Sequence, residues 1–565
     1  MTKHLSFLFL LFATTVLFSQ SNNLEWFRNF GSAPNTDATI RKSLMDENGN
    51  IYNIGRFNFY SNFMDNTTTN AVFVNGQNSY VAKYSPSGQL LWSNNFGGEV
   101  VDFAFDNNGD VIVTGSFNTS TTFSDNTTFT SSISGQPQLY NIKLNKNTGA
   151  YIWKKTFSNS VLEYSPATGM GVTVLSDNSI VVCTRYYGSM AGIPAFQLMK
   201  FDANGNNLVK KVMDNVNNSG TEFNGLQSDN ADNIYLIGSF YSMLNLNVNG
   251  GIYKIEDPSL SSSLTAFIAK YDSNFNVLWG KAIGGPSADQ AIALAVDKAT
   301  QKSYFSLTVN GNNVNLNNGG TTPVLTNFWQ TQSSGVLLSY DGNGTLLTHH
   351  IYTGSGLNVG QAYADDIQLK GNTLVLSGRV YDKPDIDISS GSEIPPSNSI
   401  NERIRFFVSV FNINGNTYSL NKSRYFAIDM NIAFADPTII GHVIPNTSKL
   451  IVAGDNNSLI PYQGTELLSH PKHSAFMFQF DTQSLDTKEL SSNVSSLFLA
   501  SDSNNKIVKI ISKEALEYLT VYDAAGRKIL DTNSTEIDVS NFKEGIYFFQ
   551  IKTTTRTVIK KFLKK

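Results

Sequence analysis

A repeating unit of about 65 residues constrains the fold of this chain more than any other feature of its sequence. The four strand-like segments of one unit lie between Ser79 and Phe117. Two of the turns between them, Pro86-Ser87-Gly88 and Asn107-Asn108-Gly109, end in Gly, which favours a tight chain reversal. Because a unit of this size cannot bury its own apolar surfaces, its copies must pack against one another.

Seven copies of the unit can be read as far as about residue 490. Each contains an apolar segment before a polar turn: Tyr80–Tyr84, Tyr140–Leu144, Phe196–Asp202, Phe267–Asp272, Val336–Asp341, Phe407–Phe411 and Phe476–Asp481. Such repeats build either an open solenoid or a closed β-propeller. The segments are almost continuously apolar, as expected for strands covered on both faces. The pattern favours an all-β, seven-bladed β-propeller over residues 20–490.

The tryptophan residues indicate how the ring closes. Four of the five Trp occupy one slot, in the outer strand of a unit: Trp26, Trp92, Trp153 and Trp279. The segment around Trp26 has no earlier strands of its own unit before it, and the last copy is weak in the corresponding strand. We therefore predict that the N-terminal strand completes the seventh copy. Closure of this kind removes the exposed sheet edges of an open array.

Two stretches carry a family resemblance. FGGEVVDFAFDNNGDVIVTGSF, from Phe96, and DNADNIYLIGSF, from Asp229, resemble the β-propeller repeats of large secreted bacterial proteins.

The N-terminus and the composition indicate an exported protein. Lys3 and His4 precede an apolar run from Leu5 to Phe18, which is typical of a signal peptide over residues 1–19. This run is too short to span a bilayer, and no later segment approaches the ~20 apolar residues that a membrane span requires. The net charge is −4 with 15% charged residues, which disfavours nucleic-acid binding. The single cysteine, Cys183, lies in a segment rich in β-branched residues, so we expect a small buried apolar side chain there and not a reactive thiol.

The last part of the chain, residues 491–565, has a different pattern. Several short strands with turn signals predict a small C-terminal β-sandwich. The segments LTVYDAAGRKI (from Leu519), IDVS (from Ile537), EGIYF (from Glu544) and KKFLKK (from Lys560) resemble the type A C-terminal sorting domain of the Bacteroidota type IX secretion system. The residues that carry the resemblance as a sorting signal are Tyr522, Gly526, Lys528, Gly545, Tyr547, Lys560 and Lys561. The resemblance implies Sec export followed by type IX transport, with the type IX machinery as a partner, and release or attachment at the cell surface.

No catalytic motif can be found in the sequence. A zinc-protease HExxH motif, a GxSxG nucleophile elbow and a P-loop are all absent. The turns Asp46–Gly49, Asp106–Gly109 and Asp341–Gly344 resemble the first half of a calcium loop, but the closing Glu is missing, so hairpin turns are the preferred interpretation. We expect no cofactor, although a structural cation near the mouth of the central channel is one alternative.

Acidic residues that open the first strands of the units form one candidate site: Asp37, Asp102, Glu222, Asp289 and Asp365. In a closed ring they would crowd one mouth of the central channel, where they could hold a cation or contact a polar ligand. The preferred alternative is that each carboxylate caps its own glycine-rich turn by accepting backbone N–H bonds.

The connections between the second and third strands of each unit form the other candidate site. They are long and fall on one rim of the ring, where binding loops commonly lie. They carry the aromatic residues Tyr60, Tyr241, Phe328, Trp329 and Tyr381. Exposed rings there could stack on a sugar or anchor a protein, or could hold a loop against the rim.

These patterns together predict a secreted or cell-surface binding or adhesion protein, with an extracellular glycan or protein as its ligand. A polysaccharide lyase or hydrolase on a propeller scaffold is one alternative, since such sites can be assembled from distant loops. A structural surface protein is the other.

Overall fold

The computed structural model describes residues 24–30, 38–61, 72–131, 137–157, 167–187, 194–213, 221–259, 263–317, 325–327, 333–352, 361–381, 384–389, 391, 404–427, 438–444, 447–456, 460–462, 465–467, 474–481, 497–501, 506–512, 515–523, 526–554 and 557–564. The regular secondary structure within these ranges is entirely β-strand.

Residues 24–481 form seven four-stranded antiparallel sheets, named sheet 1 to sheet 7 in the order of their first strands. The N-terminal strand is β1 (Leu24–Phe30). Sheet 1 contains β2 (Ala38–Met45), β3 (Ile51–Ser61), β4 (Val72–Tyr84) and β5 (Leu90–Gly97). Sheet 2 contains β6 (Glu99–Phe105), β7 (Val111–Phe117), β10 (Gln138–Leu144) and β11 (Tyr151–Thr156), with a small hairpin of β8 (Ser120–Thr122) and β9 (Thr128–Thr130) between its second and third strands.

The next three sheets repeat this order. Sheet 3 contains β12 (Ala167–Val174), β13 (Ile180–Tyr187), β14 (Pro194–Phe201) and β15 (Asn207–Met213). Sheet 4 contains β16 (Thr221–Ser228), β17 (Ile234–Tyr241), β20 (Leu264–Tyr271) and β21 (Val277–Ile283), with the hairpin β18 (Met243–Asn245) and β19 (Lys254–Glu256). Sheet 5 contains β22 (Gln290–Val296), β23 (Ser303–Asn310), β26 (Ser333–Tyr340) and β27 (Leu346–Ile351), with the hairpin β24 (Asn312–Asn315) and β25 (Leu325–Asn327).

The last two sheets bring the chain back to its start. Sheet 6 contains β28 (Gln361–Lys370), β29 (Thr373–Tyr381), β30 (Ile404–Asn414) and β31 (Thr417–Ala427). Sheet 7 contains β32 (Ile439–Val443), β33 (Lys449–Asn456), β36 (Ser474–Asp481) and the N-terminal strand β1, with the hairpin β34 (Ile460–Tyr462) and β35 (Thr465–Leu467). In sheet 7, Trp26 is opposite Gln479 and Phe27 is opposite Phe478. This is the pairing predicted for the N-terminal strand.

The seven sheets are arranged in a propeller-like ring. The first strand of each sheet contacts the first strand of the next, and β32 of sheet 7 contacts β2 of sheet 1. A separate cluster of buried apolar side chains fills each of the seven seams between neighbouring sheets. At the seam between sheets 7 and 1 the cluster includes Ile40, Tyr80, Ile451 and Met477. Each face of every sheet is therefore covered, which explains the continuous apolar character of the strands.

The four tryptophans of the common slot hold neighbouring sheets together. The Nε1 of each donates a hydrogen bond to a carbonyl in a turn of the next sheet, at 3.0–3.1 Å: Trp26 to Pro86, Trp92 to Lys146, Trp153 to Ala203 and Trp279 to Gly342. Each indole covers a glycine of that turn with a positive φ: Gly88, Gly149, Gly205 and Gly344. A Cβ on any of these glycines would lie within 3 Å of the indole, so the close approach requires Gly.

The seam between sheets 3 and 4 departs from this pattern. Val209 stands in the Trp slot of sheet 3, and Phe275 stands where the facing turn would otherwise have Gly. Phe275 adopts φ +64°, a conformation that costs a bulky residue about 1–2 kcal/mol. It is buried, and Val209 packs against the apolar cluster that contains it. The aromatic ring of this seam thus comes from the turn instead of the strand.

The Asp-initiated turns are hairpin turns stabilised by their own side chains. Oδ1 of Asp46, Asp106 and Asp341 each accepts two backbone N–H bonds of its own turn, at 2.8–2.9 Å. Lys143 Nζ lies 2.6 Å from Asp106 Oδ2, so a protein ammonium neutralises this carboxylate. These contacts agree with the hairpin interpretation of the calcium-like sequences.

Residues 497–564 form a separate pair of sheets, here called the C-terminal module. One sheet contains β37 (Leu497–Ser501), β38 (Ile507–Ser512) and β41 (Glu536–Asp538). The other has the order β40-β39-β42-β43, formed by β39 (Leu516–Asp523), β40 (Lys528–Thr532), β42 (Gly545–Thr553) and β43 (Thr557–Lys564). Val508 and Ile537 of the first sheet share one apolar cluster with Leu519, Phe549 and Ile551 of the second.

Candidate functional site

The first strands of sheets 1 to 6 carry a β-bulge at the same place. One extra residue is inserted in each strand relative to its partner: Arg41, Val101, Met170, Asn224, Ile292 and Asp365. A bulge redirects a side chain out of the regular alternation of the strand and is common next to functional sites. The bulges lie in the first half of each first strand, on the side of the end at which these strands begin. We call this end the bulge end.

An exposed charged cluster joins sheets 1 and 2 at the bulge end. Arg41 Nη1 lies 2.8 Å from Glu99 Oε1, and Arg56 Nη1 lies 3.9 Å from the same oxygen. The three side chains are 41–46% exposed, so a ligand could reach all of them. Exposed pairs of this kind contribute about 0–1 kcal/mol to stability, which leaves their hydrogen-bonding groups available for exchange.

A second charged group lies in sheet 6. Arg379 donates two hydrogen bonds to Asp365, from Nε to Oδ2 at 2.8 Å and from Nη2 to Oδ1 at 3.0 Å. The guanidinium also lies 5.8 Å from the ring centre of Tyr363, which packs edge-on against Tyr381. Tyr381, predicted as a loop aromatic, is thus the half-buried end of β29 and supports this group.

Asp102 connects three sheets. Its Oδ1 accepts a hydrogen bond from Lys42 Nζ of sheet 1, and its Oδ2 accepts one from Val172 N of sheet 3 at 2.8 Å. Lys42 also donates to the Phe103 carbonyl at 3.1 Å. Asp102 is 7% exposed. Oδ1 also accepts a local hydrogen bond from Phe103 N at 2.8 Å. With partners in sheets 1 and 3, however, the carboxylate stabilises the contact between neighbouring first strands and not only its own connection.

The other predicted acids differ from one another in environment. Asp289 is buried and caps its own connection, accepting hydrogen bonds from Gly285 N at 2.7 Å and Asn310 N at 2.8 Å. Burial raises the pKa of Asp289 to about 7. Glu222 is exposed and lies 3.4 Å from Gln290 Nε2. Asp37 lies outside the described residues. Within those residues, no three His, Cys, Asp or Glu side chains come together in a way that could hold a metal ion.

Asp366 is an acid that the sequence analysis did not select. It follows the bulged residue Asp365, and its two carboxylate oxygens accept hydrogen bonds from Gln368 Nε2 at 3.0 and 3.1 Å. Burial raises the pKa of Asp366 to about 7, and the positive charge of Lys42 opposes that shift. Asp366 and Lys42 belong to first strands of different sheets, and each directly follows the bulged residue of its strand.

The long connections carry more structure than the sequence indicated. Four of them contain the small hairpins β8–β9, β18–β19, β24–β25 and β34–β35. Most described apolar residues in the connections of sheets 2, 4, 5 and 6 are buried, although Ile252 of sheet 4 is 74% exposed. The buried ones are Phe123, Leu244, Leu246, Val248, Ile255, Val314, Leu316, Ile386 and Ile388. Phe123, for example, pairs with Phe96 of sheet 1 and packs edge-on against Tyr151 of sheet 2. These segments therefore cover the outer parts of the seams.

Only some of the predicted loop aromatic residues lie within the described part of the chain. Tyr241 ends β17 and is 42% exposed, so it is open to a ligand. Phe328 and Trp329 lie outside the described residues. The side chain of Tyr60, in β3, is also outside them.

The arginines of the bulge end were missed in the sequence analysis, although a signal was present. The second strands of sheets 1 and 6 read Gly55-Arg56 and Gly378-Arg379 where those of sheets 2 and 4 read Gly-Ser. This exchange, within a Gly-containing motif that these four sheets share, marks positions that the repeat itself does not require. The bulged residues had no such signal, because a bulge is visible only in the strand register.

The predicted sorting residues lie in the sheet β40-β39-β42-β43 or its turns. Tyr522 donates to Gln550 at 3.1 Å, and Tyr547 is buried and donates to the Lys543 carbonyl at 2.9 Å. Gly526 has φ +79° in the turn after β39, and Lys528 pairs with Asp531. Gly545 begins β42 with φ +152°. Lys560 and Lys561 are opposite Phe549 and Phe548 in the strand register.

Comparison with known protein families identifies the C-terminal module. Residues 503–565 match the family described as the secretion system C-terminal sorting domain. This domain directs export by the type IX secretion system to the cell surface or the extracellular space, and it implies an interaction with the type IX machinery. The part of the chain that the structure describes contains no helix long and apolar enough to cross a bilayer.

Comparison with solved structures gives matches at low identity. An ulvan lyase of a new polysaccharide lyase family is 10% identical, with a TM-score of 0.40, over 80% of this chain and 96% of that one. The β-propeller domain of the Trilobed protease from Pyrococcus furiosus is 8% identical, with a TM-score of 0.29, over 70% and 100%. The WD40 domain of SCAP from fission yeast is 9% identical, with a TM-score of 0.32, over 81% and 99%. We draw no argument from likenesses at these values. No curated protein matches the chain.

Proposed function

We propose that this protein is an exported extracellular binding protein, with a seven-bladed β-propeller at residues 20–490 and a type A sorting β-sandwich at residues 491–565. Residues 1–19 would be the signal peptide, and the source a member of the Bacteroidota. Support for the propeller comes from the ring of contacts between first strands and from the pairing of β1 with β36. Support for the sandwich comes from the apolar cluster shared by the two C-terminal sheets.

The bulge end of the ring is the proposed ligand face, and the ligand class is a polar extracellular glycan. The observation that carries this proposal is the exposed cluster of Arg41, Arg56 and Glu99. Its mixed charge suits hydroxyl groups, which both donate and accept hydrogen bonds. Exposed Tyr241 adds a ring that can stack on a sugar. Phe328 and Trp329 remain candidates for the same role.

The test is glycan-array binding by the purified protein, followed by affinity measurement on the best ligand. We expect Arg41→Ala/Arg56→Ala to weaken binding at least tenfold, because two charged donors are lost from one site. Arg527→Ala is the matched control, since Arg527 is an exposed, ion-paired arginine of the C-terminal module. Equal loss in both variants, or none in either, would contradict the proposed face. A protein ligand captured without any glycan would contradict the ligand class.

A polysaccharide-active enzyme is the second candidate, and Asp366 is the observation that favours it. A half-buried carboxyl group with a pKa raised to about 7 suits a general acid or base at neutral pH. The test is product release from a panel of polysaccharides. An enzyme should lose activity at least a hundredfold in Asp366→Asn while retaining glycan binding. If the protein neither binds a glycan nor releases a product, a structural role at the cell surface is the remaining candidate.

A further inference from the structure

We propose that the outer face of the sheet β40-β39-β42-β43 is the surface by which the C-terminal module docks onto a protein subunit of the type IX export machinery. We call this surface the docking face. The inference rests on the sorting function of the module and is independent of what the ring binds.

The two faces of this sheet differ sharply. Along β42 the burial alternates, with Tyr547, Phe549 and Ile551 buried toward the other sheet of the module and Phe548 exposed on the opposite side. Along β39 the inner residues Leu519 and Val521 are fully buried. The inner face thus forms the core of the module. The aromatic residues of the outer face are not required for packing of this core.

The docking face is a grid of aromatic and cationic side chains. In one row Lys528 is opposite Tyr522, which is opposite Phe548, and in another Tyr518 is opposite Lys552. Tyr518 is 43% exposed and Phe548 is 37% exposed. Lys552 Nζ lies 5.6 Å from the ring centre of Tyr518. Exposed aromatic side chains are enriched at protein interfaces, whereas lysines are depleted there and belong to the polar rim, so Tyr518 and Phe548 are the residues that mark this face.

The ring does not cover this face in the described residues. The main strand contacts of β39, β40 and β42 are with one another and with β43. The strand β43 also contacts β37 of the same module. Among the described strands, none of the seven sheets is a main contact partner of this sheet, and Tyr518 and Phe548 remain exposed.

Charge indicates the chemistry of the partner. Residues 503–565 contain 12 Lys and Arg against 7 Asp and Glu, a net charge of +5, whereas the whole chain has a net charge of −4. The positive charge is therefore concentrated in the part of the chain that the export machinery recognises. A partner with an acidic rim around an apolar cleft would complement the grid, since opposite potentials guide and orient association.

The ion pairs of the face do not block such a partner. Lys552 pairs with Glu517 at 2.9 Å, and Lys528 pairs with Asp531, but all four side chains are 41–54% exposed. Ion pairs this exposed add little to stability, so exchange for a partner carboxylate costs little.

The test uses the full-length chain in a bacterium that has a type IX system. Export is measured as the fraction of protein at the cell surface and in the medium relative to the periplasm. We expect Tyr518→Ala/Phe548→Ala to lower this fraction at least tenfold, with the protein retained in the periplasm. Lys528→Glu/Lys552→Glu should lower it several-fold. Unchanged export in the aromatic variant would overturn the proposal.

A matched control separates the docking face from general effects. Ile507 is 36% exposed on β38, in the other sheet of the module, and Ile507→Ala should keep export within twofold of the unaltered protein. An equal loss of export in this control would mean that the effect is not specific to the docking face. Thermal unfolding of each purified full-length variant checks the fold, and glycan binding by the ring should be unchanged in all of them.

The acidic remainder of the chain is the other candidate occupant. Cross-linking of the purified full-length protein between lysines of the docking face and carboxylates of the ring tests this directly. Cross-links from Lys528 and Lys552 to the ring that disappear in the aromatic variant would assign the face to the protein's own ring and overturn the proposal.

Discussion

Two seams bury an aromatic side chain at the same place: the seam between sheets 7 and 1, and the seam between sheets 3 and 4. In the first seam this side chain comes from the outer strand of the earlier sheet, and in the second it comes from a turn of the later sheet. At the first seam Trp26 projects from the outer strand onto Gly88 in the facing turn. At the second seam the strand supplies Val209, and the turn supplies Phe275. The difference shows that the repeat preserves the filled volume of a seam and not the residue that fills it, as expected for close-packed interiors.

The seam between sheets 7 and 1 also closes the ring of seven sheets, so it joins segments that are far apart in the sequence. Trp26 Nε1 donates to Pro86 O at 3.1 Å and to Gln479 Oε1 at 2.7 Å, and Arg28 Nε donates to Gly88 O at 3.0 Å. Inside the same seam His442 Nε2 lies 2.8 Å from Ser43 Oγ. Specific hydrogen bonds there fix the pairing of distant segments. Hydrogen bonds also cross the second seam, between Thr173 and Ser228 and from Ser176 to Asp232, so the two seams differ in the source of their aromatic side chain and not in the presence of hydrogen bonds.

The largest expected effect is that of filling the space under Trp26. Gly88→Val should destabilise the protein by about 4 kcal/mol, because the added Cβ would lie 2.5 Å from the indole and a positive φ disfavours Val. Gly371→Val is the control, since Gly371 also has a positive φ but a Cβ added to it would have no neighbouring atom within 4 Å. It should cost about 1–2 kcal/mol. Urea unfolding followed by tryptophan fluorescence gives both values, and equal losses would show that the Trp26 contact does not limit the site.

Removal of the closing indole should have the next largest effect. Trp26→Ala should lower the free energy of unfolding by about 3 kcal/mol, because the half-buried ring and its hydrogen bonds to Pro86 and Gln479 are lost. Trp26→Phe keeps much of the packing and should lose about 1 kcal/mol. A loss below about 1 kcal/mol in Trp26→Ala would mean that β1 is held without its tryptophan.

A sharper test of the comparison moves the aromatic residue of the seam between sheets 3 and 4 from the turn to the strand. Phe275→Gly alone should cost about 2 kcal/mol, since the loss of a buried ring outweighs relief of the positive-φ strain. Val209→Trp alone should cost about 1–3 kcal/mol by overpacking. The double variant should be more stable than the sum of the two losses predicts by at least about 1 kcal/mol. Additive losses in a double-mutant cycle would show that the two positions do not share one space.

The smallest expected effect is a pH dependence of the closing seam. Burial raises the pKa of Asp455, which accepts hydrogen bonds from Thr438 and Ile40, to about 7. The folded protein therefore binds a proton more tightly than the unfolded chain between about pH 4 and 7. The stability from this group is present at low pH and is lost as the pH rises through 7, by about 1 kcal/mol between pH 6 and 7.5.

Asp455→Asn should remove this part of the pH dependence. Denaturant unfolding at the two pH values checks the prediction, with the slope of the unaltered protein as reference. Asp289 and Asp366 also have raised pKa values and should retain their own contributions in the variant. An unchanged slope in Asp455→Asn would mean that the carboxyl group of Asp455 does not titrate differently in the folded protein.

Much of this protein was determined by local sequence. Short apolar runs, Asp-x-Asn-Gly turns and the Trp slot depend on neighbours a few residues away, so the four-stranded units and the borrowed strand β1 could be predicted. The sorting module was also visible, since its turn and strand motifs are contiguous.

Only the tertiary structure decided how the units meet. The bulges that place Arg41 and Asp365, the bridge from Lys42 through Asp102 to Val172, and the burial of Phe123 in a seam all depend on residues in neighbouring sheets. Phe275 in a glycine position is explained only by Val209, which lies in the preceding sheet. Because packing between sheets responds to shape and volume summed across a seam, and not to the order of residues along one strand, no local pattern could have revealed these choices.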